Sequence, residues 1–351
     1  MLLPRNAWRL GCFKDEDTPD YLIMRRNEDR FRDFQKQNPE RLSTRFYITV
    51  VPNTLDLLEC CLALLPRNLS VTLILNGLAQ WEQEFIDREY PNIPKFILTT
   101  HRGCIPHDKI LDMLTECNDN NFGIIDQDCF IIDSNIFDVM EVAENEIAES
   151  AFCSLNRKAN LRFPRTYFLL FNTLAIRNIR KQYEISFKPC WTIPTQLEPP
   201  LAALKLGYDN FPHDSLNYFD TFQLIWAMAF HQGFSFRALS MPGADEAGIF
   251  HIGAGAGYLT EDLRDKMIRD QSKYEFLSKL DKEKVRAAAF SYYAHSLLLE
   301  NTKNSELKHH YGPFFSPLGG SSKILEIFGS VISPQKVKEI NLVIDFSKAR
   351  S

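Results

Sequence analysis

Two aspartates one residue apart, Asp126 and Asp128, end a short apolar run in the stretch FGIIDQDCFIID at residues 122–133. An unbroken apolar run of that length predicts a strand buried on both faces. In an open α/β sheet the carboxyl ends of the strands open onto the ligand crevice, so a D-x-D there sets two hard oxygen donors where substrate binds. The chemistry this suits is capture of a divalent cation against a phosphate. If the chain stays extended, the two carboxylates point to opposite sides, one toward the cation and one toward other parts of the ligand. Asp15 and Asp17 repeat the spacing, but they lie in a polar stretch with no strand before them.

Positioning such a pair takes a sheet, and the residues before it supply one. Residues 46–51 (FYITVV) are β-branched and aromatic, stop at Pro52-Asn53, and precede a helical pattern over 55–65. Residues 70–75 (SVTLIL) end at Asn76-Gly77 and lead into a helix over 79–89, and residues 95–100 (KFILTT) lead into one over 107–117. Strands alternating with helices imply right-handed crossovers and a mainly parallel sheet. Beyond Asp133 the pattern predicts a helix over 138–147, strands at 151–156 and 167–171, a helix over 219–232, a strand at 234–239 and a glycine-rich turn at 249–257. Residues 189–212 hold five prolines without a period, which suits a loop covering substrate. The expected class is α/β, Rossmann-like, with a helical C-terminal extension.

At 351 residues, 45% apolar and 24% charged, the chain has the composition of an ordinary globular protein. A net charge of -5 gives no reason to expect nucleic acid as a partner. No apolar run approaches the roughly 18 residues that span a bilayer, and MLLPRNAWRL lacks the core of a signal peptide, so a cytoplasmic protein is expected. Eight cysteines without a C-x-x-C pair read as reduced core thiols. The expected division is an arm at 1–44, a catalytic domain at 45–257 with halves meeting at 133, and a helical extension at 258–351.

The order strand, turn, helix through to a fourth strand ending in D-x-D resembles the nucleotide-binding half of GT-A fold glycosyltransferases, over residues 46–255. The resemblance implies Mn2+ or Mg2+ on the diphosphate of a nucleotide sugar, most often a UDP-sugar, and a carbohydrate or other hydroxyl acceptor. Its metal ligands would be Asp126, Asp128 and His251, the last in GIFHIGAGAGY, where Gly253, Gly255 and Gly257 let backbone approach phosphate. Donor contacts would come from Val51, Pro52, Asn53 and Asn76 at the first two strand ends, from His107 and Lys109, and from His101 and Arg102 before them. Asp220 would be the general base of an inverting transfer, with Asp214 and Glu246 behind it; an acidic helix cap serves equally well there as a structural device. Trp191 is read either as a ring for a sugar face or as a loop anchor. Arg157, Lys158, Arg162 and Arg165 read as a solvated edge or an anion-facing cluster.

Other readings compete. A nucleotidyltransferase acting on sugar phosphates also uses an α/β sheet and paired carboxylates, but a glycine-rich basic loop would follow its first strand where VVPNTLD stands. A phosphohydrolase would carry its acid pair after the first strand. A non-catalytic carbohydrate- or nucleotide-binding protein of the same fold remains open at this stage.

Overall fold

The computed structural model describes residues 19–37, 46–100, 103–150, 153–212, 218–239, 248–253 and 279–350. The first half runs α1 (Pro19–Gln37), β1 (Phe46–Val50), α2 (Leu55–Leu64), β2 (Val71–Leu75), α3 (Gln80–Glu89), β3 (Lys95–Ile97), α4 (His107–Cys117) and β4 (Phe122–Asp126). There follow β5 (Cys129–Ile131), α5 (Ile136–Val139), β6 (Glu146–Ser150), β7 (Cys153–Asn156), β8 (Leu161–Pro164), β9 (Phe168–Phe171) and α6 (Thr173–Tyr183). The chain continues through α7 (Glu198–Ala203), α8 (Gln223–His231), β10 (Ser235–Ala238), β11 (Ile249–His251), α9 (Lys279–Asn301), α10 (Ser305–Phe315), α11 (Gly320–Phe328) and α12 (Pro334–Arg350).

Seven strands form one sheet in the order β10-β6-β9-β4-β1-β2-β3. β9 runs antiparallel to β4 and β6, and the other neighbours pair parallel. Alternation along β1 sends Phe46, Ile48 and Val50 to one face and Tyr47 to the other, where separate cores form. The first core is covered by α2, α3 and the C-terminal helices, and the second by α1, α4, α6 and α8. Gly123 in β4 is required by this packing, because a Cβ there would lie 2.1 Å from the Phe46 ring. The expected α/β architecture is therefore present, with helices on both faces of a mostly parallel sheet.

Several expected elements differ. The helix predicted over 138–147 stops at Val139, and β6 takes Glu146–Ser150 instead. Ile147 and Ala148 are fully buried between β9 and β10, and this sheet pairing overrides a weak local helix pattern. α6 follows β9 without having been predicted; Asn172 caps it by accepting a hydrogen bond from the Ala175 N–H. The proline-rich segment is no loose cover. Ile193, Leu197, Leu201, Leu206 and Phe211 are buried, and Pro199 and Pro200 lie in the first turn of α7, where a missing N–H costs nothing. Of the cysteines, Cys60, Cys61, Cys117 and Cys129 are buried, Cys153 and Cys190 are half-buried and Cys104 is exposed, all as free thiols. Cys12 lies outside the described residues.

The C-terminal helices enter the same core as β1. Ala288, Ala289, Tyr292 and Tyr293 of α9 are buried with Leu57, Leu58 and Cys61 of α2. At their centre His295 Nδ1 meets Asp56 Oδ2 at 2.6 Å with both side chains almost wholly buried. Removing one member of such a pair strands the other in a low-dielectric interior. Asp56→Ala should lower unfolding free energy by about 3–5 kcal/mol in urea denaturation; a loss below about 1 kcal/mol would show that the pair does not bind α9 to α2.

Candidate metal and donor site

β4 delivers Asp126 to the end of the central strand, and a turn at Gln127–Asp128 then reverses the chain into β5. The extended geometry expected for D-x-D is therefore replaced by a bend. Asp126 and Asp128 consequently serve one site rather than opposite sides. β5 pairs antiparallel with β11 in the register Ile131 to Ile249, Phe130 to Phe250 and Cys129 to His251. The Ile252 N–H closes the ladder on the Asp128 carbonyl at 3.1 Å. That register sets His251 beside Asp128, with Nε2 3.1 Å from Oδ1.

Ligand atoms of Asp126, Asp128 and His251 all lie within 4.8 Å of one another. Two carboxylates and an imidazole form a hard to borderline donor set, which suits Mg2+ or Mn2+. The Tyr167 ring stacks on His251 at 3.9 Å and 15°, fixing the imidazole plane. The Tyr167 carbonyl also accepts the Asp126 N–H at 2.8 Å. Gly253, two residues beyond the histidine, has φ +78, a conformation that costs other residues strain. Gly255 and Gly257 lie outside the described residues.

The electrostatics match a site built for a cation. Burial raises the pKa of Asp126; the charges of His107 and His251 act against this, and that of Asp128 adds to it. Burial alone would favour neutral His251, but the charge and hydrogen bond of Asp128, with Asp126 behind them, raise its pKa. Without a cation the site keeps protons longer than ordinary residues do.

Of the other expected donor residues, His107 and Val51 are connected to this centre. His107 opens α4 within electrostatic reach of Asp126, while the charge of Lys109 acts on Asp108 and Asp112 of the same helix. Val51 donates its N–H to Gln127 Oε1 at 3.2 Å, so the turn after β1 is tied to the residue between the two aspartates. Pro52 and Asn53 complete that turn, with Asn53 at φ 65. Asn76 is buried and its amide is committed to the Ile105 backbone, accepting at 2.7 Å and donating at 2.8 Å. It ties the end of β2 to the segment before α4. His101 and Arg102 lie outside the described residues, as do Asp214 and Glu246.

Asp220 does not open a helix. α8 begins at Gln223, and Asp220 sits in the preceding turn, where its N–H donates to Gln223 Oε1 at 2.7 Å and its Oδ1 accepts from Thr221 N at 2.8 Å. Phe222 between them holds φ 70 while packed on Phe171 and Phe187, an unusual backbone state for a bulky residue. Tertiary packing shortened the predicted helix here.

Trp191, 40% exposed, stacks on Tyr218 at 4.7 Å, one residue from the bridge between Cys190 and Phe219. It is no buried anchor. Arg157, Lys158 and Arg165 are exposed at the β7–β8 hairpin, where Arg162 also projects to solvent.

Two features had no sequence signal. Buried Glu82 accepts from Asn53 N at 2.8 Å, Ala79 N at 2.9 Å and Tyr311 Oη at 2.8 Å, so one carboxylate joins the turns after β1 and β2 to α10. Lys336 of α12 donates to the Ile252 carbonyl at 3.3 Å, next to His251. Both connections span more than 80 residues for their outer partner, beyond any local pattern.

The fold is an α/β sheet of seven strands with a single antiparallel strand, and an acidic pair stands at the end of its central strand. Residues 23–176 match the family model described as StrH glycosyltransferase N-terminal domain. No curated protein matches the chain. Among solved structures it is similar to the glycosyltransferase GlyE of Streptococcus pneumoniae TIGR4, at 13% identity and TM-score 0.34, covering 65% of this chain and 51% of that one. The apo-form of GlyE gives 12% identity and TM-score 0.31, covering 55% of this chain and 44% of that one. The chain thus spans about half the length of the streptococcal protein. The mannosyltransferase PcManGT of Pyrobaculum calidifontis, in complex with GDP-Man and Mn2+, is similar at 10% identity and TM-score 0.36, covering 94% of this chain and 96% of that one.

Protons and cation compete for the same three groups. Since the pKa of His251 and that of Asp126 are both raised, Mn2+ affinity should fall as pH drops from about 8 to about 6, starting above the ordinary histidine value of about 6.5. Calorimetric titration would show it, and Asp128→Ala should abolish the binding at every pH. A flat profile, or wild-type affinity in that variant, would remove the three residues as ligands.

Proposed function

We propose that the protein transfers a sugar from a nucleotide-diphosphate donor, a UDP-sugar first among the candidates, to a hydroxyl of a carbohydrate or other acceptor, with inversion. The observation that carries this is the convergence of Asp126, Asp128 and His251 at the carboxyl end of the central strands. A bound Mn2+ or Mg2+ would supply charge stabilisation to the departing diphosphate. Asp126, Asp128 and His251 would hold that ion, with Tyr167 restraining the imidazole and Gln127 aligning the turn that meets the nucleoside. A GDP-sugar donor is the specific alternative, since the archaeal structure similar to this chain contains GDP-Man.

The acceptor side follows from a chain of neighbours. The charge of Lys188 acts on Asp108, which adjoins His107, and the charge of His107 acts on Asp126. Two residues after Lys188, Cys190 pairs with Phe219, which precedes Asp220. This supports an acceptor lying between the metal site and the 188–191 segment, with the stacked rings of Trp191 and Tyr218 against a sugar face. Asp220 then takes the proton of the attacking hydroxyl, and the sugar passes to that oxygen as its bond to the diphosphate breaks.

Asp220→Asn keeps the size and the hydrogen bond to Thr221 but removes the proton acceptor. Turnover should fall by roughly 100- to 10,000-fold with donor affinity unchanged. Near-normal turnover, or a product that retains the donor's anomeric configuration, would leave Asp220 as a turn residue and end the inverting mechanism. Trp191→Ala should raise the acceptor KM by roughly tenfold and leave the donor KM alone, in line with ring stacking worth about 1 kcal/mol or a little more; an unchanged acceptor KM would move the acceptor elsewhere.

A further inference from the structure

We propose that Lys336 of the C-terminal helix α12 is a donor-binding residue that contacts the diphosphate of the nucleotide sugar; the inference rests on the donor-site reading above. Its position is fixed by two contacts. Nζ donates to the Ile252 carbonyl at 3.3 Å and lies 4.7 Å from the centre of the Phe290 ring. Ile252 is the residue after His251, and its own N–H is bonded to the Asp128 carbonyl. The ammonium therefore stands at the rim of the metal site, anchored to the backbone that joins two of the three ligands. Both feel its charge: the Asp128 carboxylate helps to hold the ammonium charged, and the ammonium opposes protonation of His251.

Charge balance gives this placement a purpose. Two aspartates neutralise one divalent cation, so a donor diphosphate brings negative charge that the three ligands do not offset. A cation at a phosphate site offsets it, and Lys336, whose ammonium interacts electrostatically with Asp128, is placed to do so. Burial lowers the pKa of Lys336, with Glu339 and Asp128 holding it up, so an anion arriving at this point meets a partly desolvated ammonium. A flexible stem carries that group, and one donor to Ile252 leaves the ammonium further protons for phosphate oxygens. The competing role is purely structural: Lys336 would pin α12 to the end of β11.

The two roles predict opposite signs. Lys336→Met keeps the apolar stem over Phe290 and removes the charge. If the lysine serves the diphosphate, this variant binds uridine and guanosine diphosphate roughly 10- to 100-fold more weakly in the presence of Mn2+, the range of a charge-assisted hydrogen bond. In the absence of nucleotide it binds Mn2+ as tightly as wild type or more tightly, because a repelling cation has gone. Lys336→Arg keeps most of the diphosphate affinity. If the lysine is only a pin, Lys336→Met weakens Mn2+ and diphosphate together and lowers Tm, and that outcome overturns the proposal, as does unaltered diphosphate affinity. Unfolding of both Lys336→Met and Lys336→Gln would likewise make it a pin. Failure of the wild-type protein to bind either diphosphate would instead sink the donor-site reading itself, a result distinct from a wild type and Lys336→Met that bind alike.

Discussion

The short antiparallel ladder between β5 and β11 is the interaction on which the site depends. β4 and the turn after it can present two carboxylates by themselves, but His251 comes from more than a hundred residues away. Three paired residues bring it in, opposing His251 to Cys129 and closing with the Ile252 N–H on the Asp128 carbonyl. Backbone pairing has little freedom in register, because a slip by one residue would turn His251 away from the aspartates and expose Phe250. The ladder therefore transmits positional accuracy without demanding any side chain in particular beyond the apolar ones that bury it.

Around this ladder, buried carboxylates do the work of joining distant segments. Glu82 gathers Asn53, Ala79 and Tyr311 at one point, and Asp56 meets His295 in the core between α2 and α9. The Glu82 carboxylate and Asp56 Oδ2 find partners on other elements, so the C-terminal helices and the turn after β1 hold each other in place. The helices beyond residue 279 thereby share one core with β1 and α2. Lys336 extends the same connection to Ile252, the residue after His251.

Before α8 the backbone stores strain. Phe222 adopts a left-handed conformation immediately before α8, held by aromatic packing on Phe171 and Phe187. A bulky residue tolerates that state only where its surroundings over-determine it. The consequence is a turn, rather than a first helical turn, at Asp220, which directs its backbone N–H into Gln223 and leaves the carboxylate at the helix entrance.

Local sequence was sufficient for the strand and helix alternation from Phe46 to Asp126, since apolar runs ending at Pro52, at Gly77 and at Asp126 encode both the elements and their ends. It was also sufficient to single out Asp126 and Asp128 as residue types fit for a cation, with His251 added only by the family resemblance. It failed where neighbours in space outweigh neighbours in sequence: residues 146–150 became a strand because β9 and β10 flank them, and the 189–212 segment packed down because Leu197, Leu201 and Phe211 found a core. The bend that turns Asp128 back beside Asp126, the register that brings His251 to both, the joint at Glu82 and the arrival of Lys336 from α12 were decided by tertiary structure alone. The reason is physical: periodicity reports which face of an element is apolar, whereas a site depends on which elements meet, and that is set by long-range pairing and burial that no short stretch contains.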